Sequence, residues 1–239
     1  MDFQSKSLQK FGLRELDLGQ NGFRAWCGPL DQPISRLRQF TQTLSSDEQE
    51  RADQYAIELG KNRFIVRRGL MRTIIGCSLG IEPAAVQFHQ PPGGKPSIKH
   101  RSDKGKLLFS ISHSDGLALY AIAWNREIGA DLERVRPLNE TEAIAKRYFS
   151  SREIDAIQGL PASQRILGFF NCWTRKEAYL KATGLGLSRP LNEIIVSMVP
   201  GEMARLVSVG GDQKEPSRWS LIDLTPSPGY IAAICVESP

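Results

Sequence analysis

Apolar residues recur at helical spacing through the second fifth of the chain and at strand spacing through much of the remainder. Residues 45–59, SSDEQERADQYAIEL, open with serines and acids that satisfy the free N–H groups of a helix start, and Gly60 is a natural stop. One helix is predicted there. A second is predicted over about 61–79, where Phe64, Ile65, Leu70, Met71, Ile74 and Ile75 keep a helical period until Gly80. Arg63, Arg67, Arg68 and Arg72 make its polar face. The pattern then shortens to strands at 86–89, 107–111 and 117–124, the first followed by Pro91-Pro92-Gly93-Gly94 and the last two flanking a Ser-Asp-Gly turn.

Near Asn125–Arg126 the sequence starts again: a strand at 127–132, a helix at about 138–148, and a helix from Ser150 with Glu153 completing a capping box. A long helix at about 163–182 comes next, and strands at 192–198, 217–223 and 229–236 close the chain, with 201–216 read as a hairpin loop. Each half runs strand, helices, strands, without a residue-level repeat. The expected fold is therefore α+β, two similar α/β halves at 1–125 and 126–239 with a ligand cleft between them.

Composition narrows the setting. A chain of 239 residues supports a sizeable core, and its four cysteines form no CxxC or Cys/His cluster, which suits buried thiols in a reducing compartment. No stretch has signal-peptide character, and none approaches the roughly 20 apolar residues of a membrane span, so a cytoplasmic protein with no membrane partner is expected. A net charge of +5 suits a phosphate-rich ligand, an acidic protein or nucleic acid.

Candidate chemistry lies in two segments. In IGADLERVRP, Asp131 and Glu133 are two apart on a predicted strand, so their carboxylates share a face while Ile128, Ala130 and Leu132 take the other. Paired carboxylates repel unless a cation separates them, and Mg2+ is commonly held by one or two carboxylates plus substrate phosphates. In FFNCWTRKEAYLKATGLGL, Trp173, Glu177 and Lys181 recur every four residues and form one helical stripe. A carboxylate there can join a metal site, and the lysine one turn on can reach a phosphate. Taken singly, a solvated strand face and a surface Glu–Lys pair also explain these features. His113, in a predicted turn between Ser112 and Ser114, Lys95 in Gly94-Lys95-Pro96, and the arginine row with Arg51 add candidate phosphate contacts.

The order GGKPSI, FSISHSDGLALYAI, IGADLERVRP, RYFSSREI and FFNCWTRKEAYLKATGLGLSRPL, over about residues 40–200, resembles the Sfp-type phosphopantetheinyl transferases. WTRKEAYLKATGLGL is similar to the family signature in its Trp and KEA branch. The resemblance implies a pseudo-dimeric fold with coenzyme A between the halves. It implies that Asp131, Glu133 and Glu177 bind Mg2+ together with the pyrophosphate of coenzyme A, and that Lys181 assists the departing 3',5'-ADP. It also implies nucleotide contacts from Arg63, Lys95, Ser112 and His113. Arg51 matches a basic position, although a lysine often found nearby is acid or amide here, around Asp47 to Gln49.

The reaction implied by the resemblance transfers phosphopantetheine to a serine of an acidic acyl or peptidyl carrier protein, with Glu177, directly or through water, taking the serine proton. The expected enzyme acts as a monomer. Two rival readings share some of these features: another metal-dependent phosphoryl-transfer enzyme, and a basic binding module, the latter without any recognisable nucleic-acid-binding motif.

Overall fold

The computed structural model describes residues 8–18, 22–100, 102–137, 141–186 and 189–239. Its first half carries β1 (Arg14–Glu15), β2 (Phe23–Pro29), α1 (Ile34–Thr41), α2 (Ser46–Asp53), α3 (Glu58–Leu79), β3 (Phe88–His89), β4 (Ser97–Ile98), β5 (Leu107–Ser114) and β6 (Leu117–Trp124). The second carries β7 (Ile128–Arg134), α4 (Thr141–Tyr148), α5 (Ser151–Gly159), α6 (Ala162–Thr183), β8 (Ile194–Val196), β9 (Leu206–Val209), β10 (Trp219–Leu224) and β11 (Tyr230–Glu237). Helices and antiparallel sheets in this mixture make the fold α+β, as expected.

Strand pairing follows from the apolar alternation. The first sheet has the order β1-β2-β6-β5 and the second β10-β11-β7, antiparallel throughout. One core sets Phe64, Leu70, Met71 and Ile74 of α3 with Trp26, Phe109 and Tyr120 of the first sheet. A second sets Phe169, Tyr179 and Leu180 of α6 with Ala233 and Cys235 of β11. A third joins Ala25, Leu119 and Ala121 to Ile128, Ala130, Leu132 and Ile234, so apolar faces of both sheets share one interior.

Several boundaries differ from expectation. The helix expected over 45–59 is α2 and stops at Asp53 rather than running to Gly60, and Gly60 lies inside α3. A Cβ on Gly60 would approach the Tyr55 ring at 3.0 Å, so this glycine admits a close side chain instead of ending a helix. Gly80, with φ of 71°, is the left-handed terminus of α3. Arg72 is not on a polar face: it is 2 % exposed, and its guanidinium donates to Glu48 and to the carbonyls of Pro83 and Val86. β5 extends through Ser114, which puts His113 on a strand, and the turn is Asp115-Gly116. The region expected as a hairpin loop contains β9 and a 3-10 turn at Glu215–Arg218. Residues 138–140 of the expected helix lie outside the described residues, and α4 is described from Thr141.

Candidate active site

β7 and β5 lie side by side, and side chains rather than a backbone ladder join them here. From Ser110 onward every second residue of β5 is a serine: Ser110 Oγ accepts from the Ala130 amide at 2.9 Å and Ser114 Oγ from the Arg134 amide at 3.1 Å. Ser112 Oγ donates to Asp131 Oδ1 at 2.9 Å, and Ser114 Oγ donates to Glu133 Oε2 at 2.9 Å. These hydroxyls fix the carboxylates on the shared face. Sequence reasoning singled out Ser112 but missed Ser110 and Ser114, although the period of two in FSISHS was the available signal.

α6 supplies the third side. From Gly168 to Ala182 every residue is buried except Trp173, Glu177 and Lys181, the stripe expected from the four-residue spacing. Lys181 Nζ bonds Asp131 Oδ1 at 2.6 Å and Ser112 Oγ at 3.1 Å. The approach of α6 to β7 depends on Gly129, where a Cβ would stand 2.0 Å from the Ala178 carbonyl oxygen. Beside Glu177, the fully buried Lys176 donates to Glu153 Oε2 at 2.6 Å and to the Leu191 carbonyl at 2.8 Å. Glu153 also accepts from the Ser150 and Val196 amides, so this pair ties α5, α6 and β8 together.

Asp131, Glu133, Glu177, Lys181, Ser112, His113 and Arg51 line one cavity of about 780 Å3. Burial, then the neighbouring Asp131, pushes the Glu133 carboxyl up, and the same two causes raise Glu177. The His113 side of the cavity is open to solvent, yet partial loss of water, followed by Arg67, Lys181 and Arg63, pushes the imidazole down to about 4. Arg67 and Arg68 of the arginine row also line it, together with Phe64 and Phe88, two rings that sequence reasoning did not assign to the site.

Two expected contacts sit elsewhere. Arg63 does not line this cavity; its guanidinium pairs with both oxygens of Asp31, at 2.7 and 2.8 Å. Lys95 lines an adjoining cavity that shares Glu177 and Lys181, and its ammonium bonds Glu127, the Ile128 carbonyl and the Ala182 carbonyl at 2.8–2.9 Å.

Among the described residues, no three His, Cys, Asp or Glu side chains are already gathered as a metal cage. The donor chemistry nevertheless fits a hard divalent cation. Asp131 Oδ2 is buried without a hydrogen-bond partner, and Glu133 and Glu177 each feel the Asp131 charge. An all-oxygen set with an unsatisfied buried oxygen suits Mg2+ rather than a soft metal.

Carboxylates and a lysine at the edge of a cavity that arginines also line suit transfer chemistry on phosphates. The family model described as 4'-phosphopantetheinyl transferase superfamily matches residues 127–235, and the one described as 4'-phosphopantetheinyl transferase, N-terminal, matches residues 32–125. The 4'-phosphopantetheinyl transferase HetI of Nostoc sp. is 44% identical over 211 residues, covering 88% of this chain and 86% of that protein. A putative 4'-phosphopantetheinyl transferase of Synechocystis sp. is 32% identical, covering 82% and 77%. The 4'-phosphopantetheinyl transferase Sfp of Bacillus subtilis is 26% identical, covering 88% and 90%. The chain belongs to the 4'-phosphopantetheinyl transferase superfamily and is an enzyme of that class.

Proposed function

We propose that this enzyme moves the 4'-phosphopantetheine group of coenzyme A onto a serine of an acyl or peptidyl carrier protein, in a Mg2+-dependent reaction that releases 3',5'-ADP. The observation that carries this reading is the convergence of Asp131, Glu133, Glu177 and Lys181 on one cavity that is otherwise rich in arginine. Asp131, Glu133 and Glu177 would hold Mg2+, which supplies charge neutralisation at the pyrophosphate when bound.

The chain's own residues account for the remaining chemistry. Glu177, directly or through a water, takes the proton of the carrier serine. The serine oxygen bonds to the phosphorus bearing pantetheine as the bond from that phosphorus to the bridging oxygen breaks. The bridging oxygen leaves with 3',5'-ADP, and Lys181 balances its charge. Ser112 holds Asp131 in place, while His113, Arg51, Lys95 and Arg63 are the proposed nucleotide contacts, Arg63 only after exchanging Asp31 for phosphate.

The cleft reading has its own support. In each half the first long strand pairs with the last, which pairs with the one before it: β2-β6-β5 and β7-β11-β10, with the two-residue β1 added at the edge of the first sheet. Each half also packs one 22-residue helix against its sheet. This correspondence favours a pseudo-dimer divided at 125/126, with the cavity between halves complete in one monomer. Four free cysteines favour the reducing conditions of the cytoplasm.

The test is incubation of the purified protein with coenzyme A, Mg2+ and an apo carrier. A carrier gaining one phosphopantetheinyl group agrees with the proposal. Nucleotide turnover without carrier modification would overturn it.

A further inference from the structure

We propose that Arg67 is the cation that receives the 3'-phosphate of coenzyme A, and so sets the preference of this enzyme over the dephospho form. The proposal rests on the coenzyme A reading above and assigns a residue to it that the motif resemblance does not.

The four arginines of α3 differ in what already holds them. Arg68 and Arg72 both bond Glu48, and Arg63 is held by Asp31. Among the described residues, no carboxylate pairs with Arg67. Its guanidinium lies 5.6 Å from the Phe64 ring centre, and that of Arg51 lies 5.7 Å from the same ring. Arg51 likewise has no carboxylate partner among the described residues. Both arginines line the cavity that contains His113 and the acidic cluster.

A half-buried guanidinium without an anion is open to one. Burial, and secondarily the Arg68 and Arg51 charges, make Arg67 give up its proton more readily than usual. A phosphomonoester dianion would satisfy the planar fork of Arg67 and the neighbouring Arg51 charge together. His113 stands near Arg67, whose charge is the largest electrostatic influence on its ring. Of the acids beside these arginines, Glu48 is engaged by Arg68 and Arg72, and Asp47 accepts from the Ser45 hydroxyl.

The test is calorimetric binding of 3',5'-ADP and 5'-AMP to the full chain, without carrier or turnover. The two ligands differ only in the 3'-phosphate, and wild type should prefer 3',5'-ADP by on the order of tenfold to hundredfold. Arg67→Gln should lose most of that preference while binding 5'-AMP nearly as wild type does. If the ratio survives in Arg67→Gln, Arg67 does not read the 3'-phosphate. Should this variant melt early, Arg67→Lys, which keeps the charge and loses the fork, decides by the same ratio. If wild type binds neither nucleotide, the coenzyme A reading itself falls, and the proposal with it.

Discussion

His113 shows how much a side chain's electrostatic surroundings matter. The ring is depressed to about 4 by loss of water and by Arg67, Lys181 and Arg63, so it is neutral near pH 7 before any anion arrives. Addition of 3',5'-ADP should raise its pKa, because a phosphate offsets those cations. An NMR titration of the His113 ring with and without nucleotide measures the shift, and an unchanged midpoint would separate His113 from the phosphate. The stability consequence has a fixed sign: the unfolded chain gains this proton near 6.5 and the folded chain near 4. His113 therefore costs no stability above about pH 7, and its destabilising contribution grows as pH falls through 6.5 toward 4. Asp131, Glu133 and the Trp173–Glu177–Lys181 stripe were legible because alternation and helical spacing survive folding. The fates of Arg63 and Arg72 were not, since Asp31 and Glu48 lie 32 and 24 residues away and only tertiary packing brings them together.

At the scale of elements, the site depends on how closely α6 lies on β7. Gly129→Ala would drive a methyl group into the backbone of α6 around Ala178 and Ala182. The expected result is a loss of roughly 1–3 kcal/mol or more of stability, with transfer falling further as Glu177 and Lys181 move from Asp131. Denaturant unfolding and kcat of the same preparation check both effects; wild-type values would remove the close approach from the account. The Lys176–Glu153 pair is a second constraint. Glu153→Ala should cost about 3–5 kcal/mol by leaving a buried ammonium without its partner, whereas replacing both by apolar residues should cost less. The capping box at Ser150–Glu153 was legible from adjacent sequence, but its union with Lys176 was not, because the lysine also reads as an ordinary helical cation.

For the whole molecule, the two similar sheet orders and the shared interior predict halves that unfold together. The net charge of +5 adds an expectation about encounter with an acidic carrier: the carrier KM should rise from low to moderate salt as long-range attraction is screened over about 8 Å. A flat KM would remove steering from the account. The broad α+β plan was legible in the change from helical to strand period after Gly80 and its restart near residue 125, whereas the serine bridges from β5 to β7 were not, since sequence spacing does not reveal which strands become neighbours. The most direct test of the central claim is the intact mass of an apo carrier after incubation with coenzyme A, Mg2+ and wild type, Asp131→Ala or Glu177→Gln. Wild type should convert the carrier while both folded variants leave it unmodified; conversion by either variant at near the wild-type rate would contradict the proposed site.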